Sequence, residues 1–207
     1  MLSTYYYIHQ FTSFGKVPFK DVNGKEMGLF ADTCNFCTAA LEGTACVKDS
    51  SGKVWVLNYA KRGDTALVDC RICTCFKNSK LNVESWGKIQ WMFSEGYGNG
   101  VEGYKLVPFR TIAVDDSFID IGSVVYIPEA KGRIIQLDDS TVIVHDGYFF
   151  AADRSGAIKQ NHIDVFIGTL DKNPFLDFVF SNPQKTFDAF LVKDSEIIKK
   201  LSNQHLK

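Results

Sequence analysis

Residues 104–167 read as a run of short β-prone segments, 105–114, 123–127, 133–137, 141–144, 148–152 and 162–167, each separated from the next by turn chemistry. Asp138-Asp139-Ser140 is expected to join two of them as a tight hairpin. Six short strands in about 65 residues point to a small barrel or sandwich and away from a βαβ fold. The acids lean the same way. Asp outnumbers Glu by 17 to 7, and Asp suits turns and strand ends where Glu suits helices. The 17 Phe and 8 Tyr add β propensity.

The remaining segments arrange themselves around that run. Tyr5 to Phe14 is aromatic and β-prone, and Val22-Asn23-Gly24-Lys25 carries an Asn-Gly hairpin signal. The turn Asp49-Ser50-Ser51-Gly52 leads into a clear strand at 53–59. Trp86, Ile89 or Gln90, and Phe93 recur at helical spacing, which predicts a short amphipathic helix over 83–93. The cluster Gly96-Tyr97-Gly98-Asn99-Gly100 ends it and marks an internal boundary. Asp194 or Ser195 caps a terminal helix through Ile197, Ile198 and Leu201. The expected layout is one domain over 1–207, with N-terminal barrel strands in 1–60, a cysteine-rich insertion and short helix in 29–100, the regular half in 104–170 and a tail with a helix in 173–207.

Charge and hydropathy exclude several classes. With 23 Lys+Arg against 24 Asp+Glu the formal charge is −1, which argues against a protein that tracks nucleic-acid phosphates. No stretch approaches the roughly 18 apolar residues of a membrane span. The N-terminus shows no signal peptide, so the chain is expected to be cytosolic, to leave by another route, or to begin after a removed signal.

Two aspartates stand out, Asp153 entering a Ser-Gly turn and Asp164 inside an apolar strand, eleven residues apart. Period-2 geometry sets Ile163, Val165 and Ile167 on one face and Asp164 with Phe166 on the other. An Asp among β-branched and aromatic neighbours is disfavoured unless it is used. Desolvation and a neighbouring carboxylate both raise its pKa, which suits a general acid. The plainer reading is that these are two more turn formers among the 17.

The segment Ala113-Val114-Asp115-Asp116-Ser117-Phe118-Ile119-Asp120-Ile121-Gly122-Ser123-Val124-Val125-Tyr126-Ile127-Pro128, followed by Ala152-Asp153, Gly156-Ala157-Ile158-Lys159 and Ile163-Asp164-Val165-Phe166, resembles the 3D (three-aspartate) domain of MltA-type membrane-bound lytic transglycosylases. Its three aspartates match Asp115, Asp153 and Asp164, and Lys159 is retained. The sequence departs from the family pattern at Asp116 and Asp120, where proline is usual, and at Ser155 and Gln160, where glycine is usual. The resemblance implies a double-psi β-barrel, so the expected fold is mainly β, a six-stranded double-psi β-barrel to which the residues add a cysteine-rich elaboration and a short C-terminal helix. It also implies a groove for peptidoglycan glycan strands. There Asp164 would protonate the glycosidic oxygen between N-acetylmuramic acid and N-acetylglucosamine, then act as base toward the C6 hydroxyl, leaving a 1,6-anhydro product. Asp153 would orient Asp164 or hold up its pKa, and Asp115 would support the loop or groove. Tyr148 offers a flat face for a sugar ring, and Asp146 is a reserve carboxylate. No metal or cofactor is expected at this site. A non-catalytic, expansin-like polysaccharide-binding barrel is the alternative.

All six cysteines fall in 29–76, as Cys34-x-x-Cys37, Cys46 and Cys70-x-x-Cys73-x-Cys75. Disulfides, a zinc site serving an interaction protein and free thiols are all compatible with this spacing. Likeness to cell-envelope enzymes favours disulfides, with the chain in the envelope or secreted.

Overall fold

The turn and strand signals are realised as a mainly β structure in a computed structural model that describes residues 1–137, 141–170, 172–180, 182 and 184–207. The hairpin turn expected at Asp138-Asp139-Ser140 lies outside the described residues. In chain order the elements are β1 (Leu2–Tyr6), β2 (His9–Thr12), β3 (Val17–Lys20), β4 (Glu26–Ala31), α1 (Thr33–Glu42), β5 (Thr44–Lys48), β6 (Val54–Arg62), β7 (Ile89–Ser94), β8 (Thr111–Val114), β9 (Val124–Tyr126), β10 (Ile134–Gln136), β11 (Val142–Val144), β12 (Tyr148–Arg154), β13 (His162–Phe166), β14 (Phe190–Leu191) and α2 (Ser195–His205). They divide into two compact units, residues 8–98 and residues 1–7 with 99–207. The chain crosses between them after Tyr7 and after Gly98, and the second crossing falls inside the glycine cluster at 96–100.

In the 8–98 unit, local side chains set the turns. Asp21 accepts the N–H groups of Asn23 and Lys25 and closes the β3–β4 hairpin. Asp49 does the same for Ser51 and Lys53 ahead of β6. Asp32 caps α1 through the N–H groups of Cys34 and Asn35, and Gly43, at φ 75°, ends it in the left-handed conformation that glycine adopts without strain. The sheet order is β2-β5-β6-β7. Its core sets Phe19 and Phe36 edge-on to Trp91, with ring centroids 5.2 and 5.9 Å apart. Two disulfides, Cys34–Cys73 and Cys37–Cys70, tie α1 to the segment at 70–76. Both C-x-x-C elements are thereby consumed, which removes the thiolates a zinc site needs. Cys46 and Cys75 are unpaired, and burial raises the pKa of the Cys46 thiol.

One expected element is different. Residues 83–93 do not form an amphipathic helix: Val83–Lys88 is a 3-10 turn, and Ile89–Ser94 is strand β7, paired with β6. Gly87 lies against the Val68 carbonyl so closely that a Cβ would stand 2.0 Å from the oxygen, and the β-prone run after it completes the sheet edge.

The other unit holds a six-stranded sheet in the order β1-β13-β8-β12-β9-β14. The number of strands matches the expectation but the membership does not. β10 and β11 form a separate hairpin, and their places are taken by β1 and β14. Of the N-terminal segment expected to supply barrel strands, only β1 joins this sheet; β2 to β6 build the other unit. The segment 105–114 is strand only over β8. Ile163 and Val165 are fully buried in the core with Phe149, Phe175 and Phe178, as the alternation predicts. Each such side chain contributes roughly 1.5–3 kcal/mol of burial.

Helix α2 begins at Asp194, which accepts from the N–H groups of Glu196 and Ile197, and packs Leu201 against Val124, Phe150 and Ala152. Two buried histidines brace this unit. His145 Nδ1 accepts from the Gly147 N–H, so Nε2 carries the proton and donates to the Phe109 carbonyl at 2.7 Å. His205 Nδ1 donates to the Leu201 carbonyl at 2.7 Å, and its Nε2 faces the Thr111 hydroxyl at 3.0 Å. Burial pushes both imidazoles down to about 4, so both are neutral in the folded protein.

Candidate active site

Four neighbouring strands place four side chains in one row. Thr4 on β1 pairs with Asp164 on β13, Asp164 pairs with Ala113 on β8, and Ala113 pairs with Asp153 on β12. A β-bulge makes the last pairing. The register between β12 and β8 passes from Ala151↔Ile112 directly to Asp153↔Ala113, leaving Ala152 unpaired. Without the extra residue, Asp153 would fall one position later and on the opposite face. The bulge is held from outside the sheet, since the Ala152 carbonyl accepts the Val101 N–H at 2.9 Å. Gly100 lies against the same carbonyl, and a Cβ there would stand 2.1 Å from the oxygen. Gly100→Ala is therefore expected to destabilise this unit by about 1–3 kcal/mol. Thermal denaturation checks it, and an unchanged melting temperature contradicts it.

The row is bridged from above. The Tyr6 hydroxyl donates to Asp153 Oδ2 at 2.9 Å, while the Tyr6 ring packs on Phe166 at 5.1 Å. In a flat sheet β1 and β12 would be three strand spacings, roughly 14 Å, apart. The contact requires the sheet to curl. The Thr4 hydroxyl donates to Asp164 Oδ1 at 2.7 Å and also contacts His162 Nε2 at 2.9 Å.

Both carboxyl groups are recessed. Desolvation pushes Asp153 up to about 6 against the Arg154 N–H and the Tyr6 hydroxyl, which favour its charged form. Desolvation pushes Asp164 to about 7; the Thr4 hydroxyl opposes that, and the charge of Asp153 adds to it. Two carboxyl groups that hold protons at near-neutral pH can donate one to a leaving oxygen.

Asp115 has a different environment. It accepts from the Ser117 hydroxyl and N–H and, across 45 residues, from the Gln160 N–H at 2.8 Å, and these bonds lower it to about 2. Gln160 has φ 54°, a left-handed backbone where the family pattern has glycine. Arg154 pairs with Asp116 at 2.7 Å. The loop joining β12 to β13, which carries one acid at each end, is thus fastened twice to the segment after β8. Lys159 is exposed on that loop, and its charge helps lower Asp115. Tyr148 and Asp146 are not brought to the row. Tyr148 packs on Tyr126 at the other end of β12, and Asp146 pairs with Arg110 and Lys200. Thr4, Tyr6, Ala113 and His162 belong to the site without having been singled out in the sequence. Ala113 lies in the segment that resembles the 3D domain, whereas for Thr4 and Tyr6 the sequence offered only the β-prone stretch that starts at Tyr5, because β1 reaches the acids through pairing 158 to 160 residues away.

The titrations in this unit oppose one another. The histidines have folded pKa values below their ordinary 6.5, so their contribution is present above pH 6.5 and lost as pH falls toward 4. Asp153 and Asp164 have raised folded values, so their contribution is present below about 3.8 and lost as pH rises toward 6 to 7. Between pH 4 and 6.5 the two trends offset, and stability of this unit is expected to be nearly flat. Asp153→Asn combined with Asp164→Asn is expected to expose a decline with falling pH across that window. Amide hydrogen exchange of residues 99–207 measures it; parallel profiles for variant and wild type contradict it.

Residues 110–174 match the family model of the 3D domain. No curated protein matches the chain. Among solved structures, the membrane-bound lytic murein transglycosylase from Agrobacterium tumefaciens superposes with a TM-score of 0.54 at 14% identity, covering 81% of this chain and 67% of that one. MltA of E. coli with bound chitohexaose superposes with a TM-score of 0.56 at 14% identity, covering 92% of this chain and 70% of that one. At such identity the likeness is one of fold. The chain carries a 3D domain and is built on the fold of the MltA lytic transglycosylases.

Proposed function

We propose that the protein is a lytic transglycosylase that cleaves peptidoglycan glycan strands, with Asp164 as the acid and then the base. The observation that carries the reading is the row of Thr4, Asp164, Ala113 and Asp153, in which two desolvated carboxyl groups share one face. Asp164, protonated near neutral pH, gives its proton to the glycosidic oxygen. The C1–O bond breaks to release the protonated leaving group, the C6 oxygen closes on C1, and the carboxylate takes the C6 hydroxyl proton, which leaves Asp164 protonated again with no water consumed. Asp153, held by Tyr6, keeps the Asp164 pKa up when it is charged. Asp115 holds the loop between the acids, and Lys159 on that loop faces the strand. The curl of the six-stranded sheet, closed in the double-psi manner, makes the groove. Glycan recognition is supported by the chitohexaose bound to E. coli MltA, which shares the fold. Two disulfides suit an oxidising compartment, so the enzyme works in the envelope or is secreted.

The test is incubation with purified sacculi, with soluble products separated and weighed by mass spectrometry. Release of muropeptides supports the enzyme. Retention of protein on sacculi with nothing released supports the non-catalytic binding barrel and overturns the proposal.

A further inference from the structure

The hydroxyl of Thr4 has one hydrogen and lies between two titratable groups, 2.7 Å from Asp164 Oδ1 and 2.9 Å from His162 Nε2. While that hydrogen points at Asp164, the Thr4 oxygen can only accept from the imidazole, so His162 must carry a proton on Nε2. While it points at His162, the oxygen can only accept from Asp164, so the acid proton must sit on Oδ1. The imidazole nitrogen and the carboxyl oxygen that carry a proton are therefore linked through Thr4. No hydrogen bond engages Asp164 Oδ2 among the described residues, which leaves that oxygen for an incoming group.

We propose that His162, acting through Thr4, is the proton-exchange partner of Asp164 and determines which carboxyl oxygen holds the acid proton. The inference rests on Asp164 being the acid of the proposed reaction. The exchange balances without any other reactant. The Asp164 Oδ1–H bond breaks as its proton passes to the Thr4 oxygen; the original Thr4 O–H bond breaks as its proton passes to His162 Nε2. Thr4 ends unchanged, Asp164 ends as carboxylate and His162 as imidazolium. In reverse, a proton taken up by His162 recharges Asp164.

The surroundings favour the proton on Asp164 at rest. Desolvation lowers the His162 pKa, whereas it raises that of Asp164. β1 contributes Thr4 and Tyr6 to this neighbourhood and β8 contributes Ala113, none of them charged at neutral pH. β12 contributes Asp153, whose charge also keeps Asp164 protonated. Lys159 stands on the loop leading into β13, where its carbonyl accepts the His162 N–H. With His162 donating to Thr4, the Asp164 proton is confined to Oδ2. His162 and Thr4 are thus positioning residues that aim the acid.

Carboxyl carbon-13 and imidazole nitrogen-15 chemical shifts, followed against pH in the intact protein, test this without any substrate. In the wild type each group's curve is expected to show an inflection at the other's midpoint. Thr4→Val is expected to remove the shared inflections and to raise the proton affinity of Asp164 about tenfold, since its charged form loses a donor. Thr4→Ser is expected to retain the coupling. His162→Gln, which still donates but takes up no proton, is expected to leave Asp164 with a single inflection. Independent curves in the wild type, or coupled curves that survive Thr4→Val in a folded protein, overturn the proposal. Coupled titration in a protein that releases nothing from sacculi would instead remove the transglycosylase reading and leave the coupling in place.

Discussion

Asp164→Asn is expected to lower muropeptide release from sacculi by about 10³-fold or more while leaving the protein folded, because the variant has no proton to give and no base to take one back. Folding survives for a reason visible in the site. The Asn side chain is neutral and close in shape, and its oxygen can still accept from the Thr4 hydroxyl. The sign of the stability change follows from linkage. Asp164 has a folded pKa of about 7, above its ordinary 3.8, so the stability it contributes at low pH is lost as pH rises from about 3.8 to 7 and is absent at pH 8. The variant is therefore expected to melt at or above the wild-type temperature at pH 8. Asp153→Asn is expected to act differently. It removes the charge that helps raise Asp164, so activity falls off at a lower pH than in the wild type, whose alkaline limb is expected near 7. Initial rates of release across pH 4 to 9 with the melting curves measure all of this. An unfolded Asp164→Asn protein, or one as active as wild type, contradicts it.

Reduction of the disulfides is expected to have the second large effect, and to have it in one unit only. All six cysteines lie within residues 8–98, and the unit carrying the acids has none. The Cys37–Cys70 bridge is nested inside Cys34–Cys73, and the outer bridge closes a separation of 39 residues. Loop-closure entropy assigns about 4 kcal/mol to a bridge of that span and less to one nested within it. This is a large share of the stability a domain of such size possesses. Reductant is thus expected to accelerate amide exchange across 8–98 and to leave the strands at 111–114, 148–154 and 162–166 protected. Peptide-resolved exchange with and without reductant measures this. Equal acceleration in both units, or none in either, contradicts it.

The regular half was legible in the sequence because its apolar alternation and turn residues repeat within a few positions, the scale on which period-2 patterning acts. The terminal helix was legible for a similar reason: Asp194 and the spacing of Ile197, Ile198 and Leu201 are local signals. α1 was not foreseen. Its first six residues, Thr33-Cys34-Asn35-Phe36-Cys37-Thr38, are poor in helix formers, which leaves only the short run Ala39-Ala40-Leu41-Glu42 and the end signals Asp32 and Gly43. Residues 83–93 misled in the other direction. Trp86, Ile89 and Phe93 fit a helical face, but the close approach at Gly87 and pairing with β6 decided the outcome.

The site divides along the same line. Asp153 and Asp164 were readable as unusual acids, and the resemblance to the 3D domain singled them out with Asp115. Their common face depends on an unpaired Ala152, which no periodicity announces, and their hydrogen-bond partners come from β1 at the far end of the chain. Tyr148 and Asp146 looked close to the acids in sequence, yet an extended strand carries Tyr148 roughly 16 Å from Asp153.

Isotopic oxygen separates the proposed chemistry from ordinary hydrolysis. Sacculi digested by the wild-type protein in water enriched in oxygen-18 are expected to yield 1,6-anhydro ends that contain no heavy oxygen, because the C6 hydroxyl of the substrate is the nucleophile. Reducing ends carrying one heavy oxygen per cut, or no cut ends at all, would contradict the account.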